Sequence, residues 1–113
     1  MPLLYPLTIQ QGASFTRTFR YRNQDGTPID ISGYSARLAI KRNYKDQAPL
    51  KVIQGPGATV DGPNGVITFH MTGVESRVVT PGPGFYDVDL IAGDEVVRLL
   101  SGSVIVLPGV ITA

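Results

Sequence analysis

Apolar and polar residues alternate with period two along much of the chain. In "SFTRTFRYR", Phe15, Phe19 and Tyr21 share one face with Arg17, while Thr16, Thr18 and Arg20 take the other. "YSARLAIKR" puts Ala36, Leu38 and Ile40 on one side and Arg37, Ala39 and Lys41 opposite. "VITFHM" separates Ile67, Phe69 and Met71 from Thr68 and His70, and "GFYDVDLI" separates Tyr86, Val88 and Leu90 from Asp87 and Asp89. This is the spacing of strands with one buried face. Arg17 is charged on an apolar face, so it is expected near a sheet edge or with its guanidinium reaching outward.

Shorter segments complete the set. Leu7-Thr8-Ile9 reads as a first strand, Leu50 to Ile53 and Ala58-Thr59-Val60 as two in the middle, and "VVRLLSGSVIVL" as the last. Gly102 inside that last run is expected to mark a bulge or bend. Asp25-Gly26 is a tight-turn signal. Pro28 lacks an amide donor, which keeps Ile29 to Ile31 out of a central strand. Asn43 to Pro49 reads as a polar loop or a sheet-edge excursion. In "TGVESRVV", the one helical turn, Thr72 and Glu75 have capping-box spacing, and Pro81 stops it. Seven or eight short strands at roughly 8–12-residue spacing predict an all-β antiparallel sandwich or barrel. We expect one domain over residues 1–113.

Composition narrows the function more than it names one. Gly 13 and Pro 9 in 113 residues supply many turns and leave little room for long helices. Lys+Arg 10 against Asp+Glu 9 leaves a net charge of +1, too weak a field to point to nucleic acid or an anionic membrane. Zero cysteines exclude disulfides and thiolate metal sites. "MPLLYPLTIQQG" has no basic, signal-like start, and no stretch reaches the roughly 20 apolar residues of a membrane helix, so a soluble chain made in a cytoplasm is expected.

The candidate chemistry is thin. Asp87 and Asp89 point the same way, about 7 Å apart along a strand. A metal would need further ligands converging on them, and none is nominated, so they are read as a solvated outer face. His70 faces away from the apolar stripe and has no evident partner for base catalysis. "GPGATV" and "GPGFYD" lack the Gly-Lys-Ser/Thr of a phosphate loop. Tyr21, Tyr34 and Tyr44 with Arg20, Arg22, Arg37, Lys41 and Arg42 have the composition of an oligonucleotide platform, which the net charge opposes. Tyr86, just after a Gly-containing turn, holds the position of a tyrosine corner. No catalytic, cofactor-binding or metal-binding residue is nominated.

"LTIQQGASFTRTFRYRNQDGTPIDISGYSARLAIK", through Gly12, Phe15, Asp25, Gly26, Pro28, Asp30, Ile31 and Gly33, resembles the immunoglobulin-like domains of tailed-phage virion proteins, including the N-terminal domains of baseplate upper proteins. "GVITFHM" and "PGPGFYDVDLIAGDEVVRLLSGSVIVLP" resemble the family's closing strands, with Gly84-Phe85-Tyr86 at its G-x-Y. The likeness spans nearly the whole chain. No fibre-forming or receptor-binding segment follows the sandwich, so a joining or decorating role is expected rather than host recognition.

The resemblance implies an immunoglobulin-like sandwich and a non-enzymatic structural protein of the virion, in the tail or baseplate region. A fibre-attachment adaptor is the finer form; a capsid decoration protein is the alternative. Expected partners are other virion proteins and further copies of the chain, with no nucleic acid, membrane or cofactor. Both ends are apolar and proline-interrupted, and Leu3, Leu4, Tyr5, Val110 and Ile111 are the candidate partner contacts. A carbohydrate- or metal-binding module using Tyr44, His70, Asp87 or Asp89 is the remote alternative.

Overall fold

A computed structural model describes residues 6–109. The chain order is β1 (Leu7–Gln10), β2 (Phe15–Arg20), β3 (Ser35–Lys41), β4 (Lys51–Ile53), a 3-10 turn (Gly55–Gly57), β5 (Ala58–Asp61), β6 (Val66–Met71), α1 (Gly73–Arg77), β7 (Gly82–Ala92) and β8 (Glu95–Leu107). Five strands form one sheet in the order β1-β8-β7-β3-β4, and three form the other in the order β2-β6-β5. The all-β sandwich expected from the alternation is present. Two details differ. β7 and β8 are long, at 11 and 13 residues, because Ala92 and Glu95 close them into one hairpin. β1 runs parallel to β8, so the sheet is not antiparallel throughout.

The core lies between the sheets and is the set that the alternation selects. Ala36, Leu38 and Ile40 of β3, Ile67, Phe69 and Met71 of β6, and Tyr86, Val88 and Leu90 of β7 are all buried. Phe19 and Phe69 meet edge to face across the β2–β6 pair, with centroids 6.0 Å apart. β2 is an edge strand, as Arg17 foretold, and the Arg17 guanidinium lies 5.7 Å from the Phe19 ring centroid.

β8 departs from expectation. Its irregularity is not at Gly102, which pairs normally with Tyr86. Val88 pairs with Leu100 while Asp89 pairs with Arg98, so Leu99 is the additional residue. Strict alternation from buried Leu100 would turn Arg98 into the core. The bulge reverses the phase, leaves both Leu99 and Leu100 against the core, and sends Arg98 outward.

The end of β1 is tied to α1. Thr72 and Glu75 form the expected capping box, with Glu75 N–H donating to Thr72 Oγ1 at 3.1 Å and Thr72 N–H to Glu75 Oε1 at 3.0 Å. Fully buried Ser76 accepts from Gly12 N–H at 3.0 Å and donates to Ala13 O at 2.8 Å. The Gln11 amide donates to Arg77 O and Val79 O at 3.0 and 3.2 Å and accepts from Gly109 N–H at 3.1 Å. A Cβ at Gly73 would come within 2.7 Å of Gly12 O, so the helix needs glycine there to approach the turn.

Candidate interaction surface

The outer face of the five-stranded sheet carries the two aspartates. Register places Arg37 of β3 and Arg98 of β8 on either side of Asp89 in β7. Arg37 Nη2 lies 2.9 Å from Asp89 Oδ2, and Arg98 donates from Nε to Oδ1 at 2.8 Å and from Nη2 to Oδ2 at 3.3 Å. Asp87 accepts from Ser101 Oγ at 2.6 Å, with Arg98 Nη1 3.8 Å from its other oxygen.

Asp89 is therefore not solvated as expected; the residue is 2% exposed. An outward-facing position on an inner strand is covered when long neighbours fold over it, and two arginine stems do so here. Burial pushes the Asp89 pKa up, but the hydrogen bonds and charges of Arg98 and Arg37 outweigh it, and the carboxyl ends below its ordinary value. The Asp89 hydrogen bond in turn raises the Arg98 pKa. Asp87, at 23% side-chain exposure, keeps part of its expected contact with solvent. Two guanidinium groups neutralise two carboxylates, so this cluster is a charge-balanced lock between three strands.

The remaining candidates are scattered. His70 stands on the outer face of the other sheet, with Nδ1 2.9 Å from Thr16 Oγ1, beside a Thr18–Thr68 hydroxyl pair at 3.2 Å. It does not meet Asp87 or Asp89, and no group of three or more His, Asp or Glu that could hold a metal ion occurs among the described residues. Tyr44 stacks on Phe85 with centroids 4.2 Å apart. The Arg42 guanidinium donates to Pro83 O, and to Thr80 O and Pro81 O at 3.0 Å each, pinning the strand-to-strand connection ahead of β7. Gly82, at φ +126°, belongs to that bend, and a Cβ there would approach Arg42 Nη1 to 2.7 Å. Arg37 and Arg42 are held in this way on the five-stranded sheet, and Arg20 lies on the other sheet.

Open surface gathers around β1, an edge strand whose two ends adjoin separate hollows. One, of about 530 Å³, is lined at the start of β1 by Pro6, Thr8, Arg42, Phe85 and Ile105. The other, of about 850 Å³, is lined at its end by Gln10, Gly12, Val74, Arg77, Leu107 and Gly109. Ile105 and Leu107 are large apolar residues left exposed on neighbouring β8. The candidate contacts Leu3, Leu4, Tyr5, Val110 and Ile111 lie outside the described residues. Sequence reasoning missed the pairing of Arg37 and Arg98 with Asp89 and the contacts of Gln11 and Ser76. For the arginines, the available signal was an outward phase shared with Asp89 on strands that become its neighbours.

No family model matches the chain, and no curated protein matches it. Among solved structures it is similar to the N-terminal domain of phage TP901-1 ORF48, with a TM-score of 0.58 and 12% identity, over 91% of this chain and 85% of that one. At that identity the likeness establishes the fold. No helix among the described residues is long and apolar enough to cross a membrane.

Proposed function

We propose that this domain is a non-enzymatic structural module of a tailed-phage particle, located in the tail or baseplate region and joining other virion proteins. The observation that carries this reading is the fold match to a phage protein domain over nine tenths of the chain. It coincides with the turn and strand motifs that independently resemble virion immunoglobulin-like domains. The strand orders support the immunoglobulin-like assignment. With β2 as strand B, β2-β6-β5 corresponds to B-E-D and β8-β7-β3-β4 to G-F-C-C′.

In this role the domain works by contact, through its apolar ends and its sheet edges. Leu3, Leu4, Tyr5, Val110 and Ile111 are the proposed contacts with tail, baseplate or fibre subunits, and an adaptor for fibres is the finer form. The test replaces Leu3, Leu4 and Tyr5 together with serine and follows incorporation into particles. The reading expects a folded domain with wild-type melting that no longer enters the tail. Unchanged incorporation contradicts the assigned contacts; wild-type protein found on capsids supports decoration instead.

A further inference from the structure

The backbone of β1 divides its hydrogen bonding between two sides. Gln11 N–H donates to Leu107 O at 3.0 Å, and Leu7 and Ile9 register with Val104 and Val106. Leu7, Ile9 and Gln11 therefore turn their backbone groups toward β8, and Pro6, Thr8 and Gln10 turn theirs to the open side. Gln10 O is already taken by Ala13 N–H at 3.0 Å. Proline has no N–H to leave unsatisfied. What remains, among the described residues, is two donors, Thr8 N–H and Gln10 N–H, and two acceptors, Thr8 O and Pro6 O.

That set saturates itself. An antiparallel pairing of two copies about a two-fold axis at Thr8 joins Thr8 N–H of each copy to Thr8 O of the other. It also joins each Gln10 N–H to Pro6 O of the other copy. Leu7 and Ile9 then face each other across the axis on the core side, and the two five-stranded sheets become one of ten strands.

Charge selects this edge over the other three. A strand added to β2 would close over half-buried Arg17, whose guanidinium lies beside the Phe19 ring. β4 is three residues long and begins with Lys51, and β5 ends on Asp61. β1 carries no charged side chain from Leu7 to Gln10. An uncharged edge bearing a self-matching donor and acceptor set fits a second copy of the same strand.

We propose that the open edge of β1 is a homodimer contact, formed by β1 of two copies pairing antiparallel about Thr8. It stands on the edge geometry alone and is independent of the virion reading. The contact adds backbone hydrogen bonds but little new apolar burial, since Leu7 and Ile9 are already buried, so the dimer is weak and reversible.

The test is sedimentation equilibrium of the full chain from about 10 µM to about 1 mM, a range suited to weak association, with amide exchange followed in parallel. The expected result is a monomer–dimer equilibrium, with Thr8 and Gln10 amides gaining protection as concentration rises. Thr8→Pro removes both central donors on a side where the described residues of the monomer use none, and Thr8→Lys sets like charges across the axis. Both variants are expected to stay monomeric with wild-type melting; if one fails to fold, the other decides. A wild-type chain that remains monomeric at the highest concentration overturns the proposal. So does a dimer that persists in the folded variants, because it must use another surface.

Discussion

Asp89 of β7 and Arg98 of β8 face each other with Arg98 Nε 2.8 Å from the carboxylate, across a pair whose register slips by one residue beside them. The extra residue, Leu99, keeps Arg98 out of the core and brings it to a buried carboxylate that Arg37 approaches from the opposite strand. The arrangement predicts non-additive energetics. Arg37→Ala or Arg98→Ala alone leaves Asp89 one guanidinium, and each should cost about 1 kcal/mol, discounted because both arginines are partly exposed. The double variant strands the carboxylate and should cost about 3 kcal/mol or more. Urea unfolding of the four proteins in the cycle measures this. A double variant no worse than the sum of the singles would contradict the shared lock.

The same carboxylate sets an acid limit. Its folded-state pKa lies below the unfolded value, so its contribution is fully present above the unfolded pKa. It is lost as pH falls from about 4, the ordinary aspartate value, through the folded one. Wild-type stability should therefore fall more steeply than that of Asp89→Asn between about pH 5 and pH 2, although the variant is weaker at neutral pH. Parallel curves in a chemical-denaturation series would show that Asp89 is not the group concerned.

Ser76 predicts a coupled loosening. Its hydroxyl is buried and holds Gly12 N–H and Ala13 O together. Ser76→Ala leaves both without that partner and should cost about 1–3 kcal/mol, with faster exchange of the Gly12 amide. Thr72→Ala removes only the cap and should cost about 1 kcal/mol without altering Gly12. Equal effects of the two on Gly12 exchange would refute the separate docking role.

Arg42 distinguishes geometry from charge. One planar guanidinium serves the carbonyls of Thr80, Pro81 and Pro83. Arg42→Lys keeps the charge but not the fork, and should lose about as much stability as Arg42→Ala, on the order of 1–2 kcal/mol. Full retention by lysine in thermal unfolding would count against the clamp.

These relationships also show where the sequence was readable. The faces of β3, β6 and β7 follow directly from alternation, and the capping box from one Thr–Glu spacing, because each depends on residues close in the chain. The burial of Asp89 depends on which strands flank β7, and alternation tells inner from outer without telling outer from exposed. The bulge stayed hidden because "VVRLLSGS" is apolar in either phase and Gly102 drew attention away from Leu99. The Gln11 and Ser76 contacts span more than 60 residues of chain, and no local pattern announces them. At the candidate surface, the readable part was the outward phase of Asp87, Asp89 and His70; which sheet each belongs to was not, and the structure places them on two different ones.

We propose that this sandwich takes a place among the subunits of a phage particle. A reconstruction of the particles produced from the genome encoding the chain tests it most directly. The expected result is density for the sandwich in the tail or baseplate, with its β1 edge and chain ends against neighbouring subunits. Particles that are complete and infectious without any copy of the protein would contradict it.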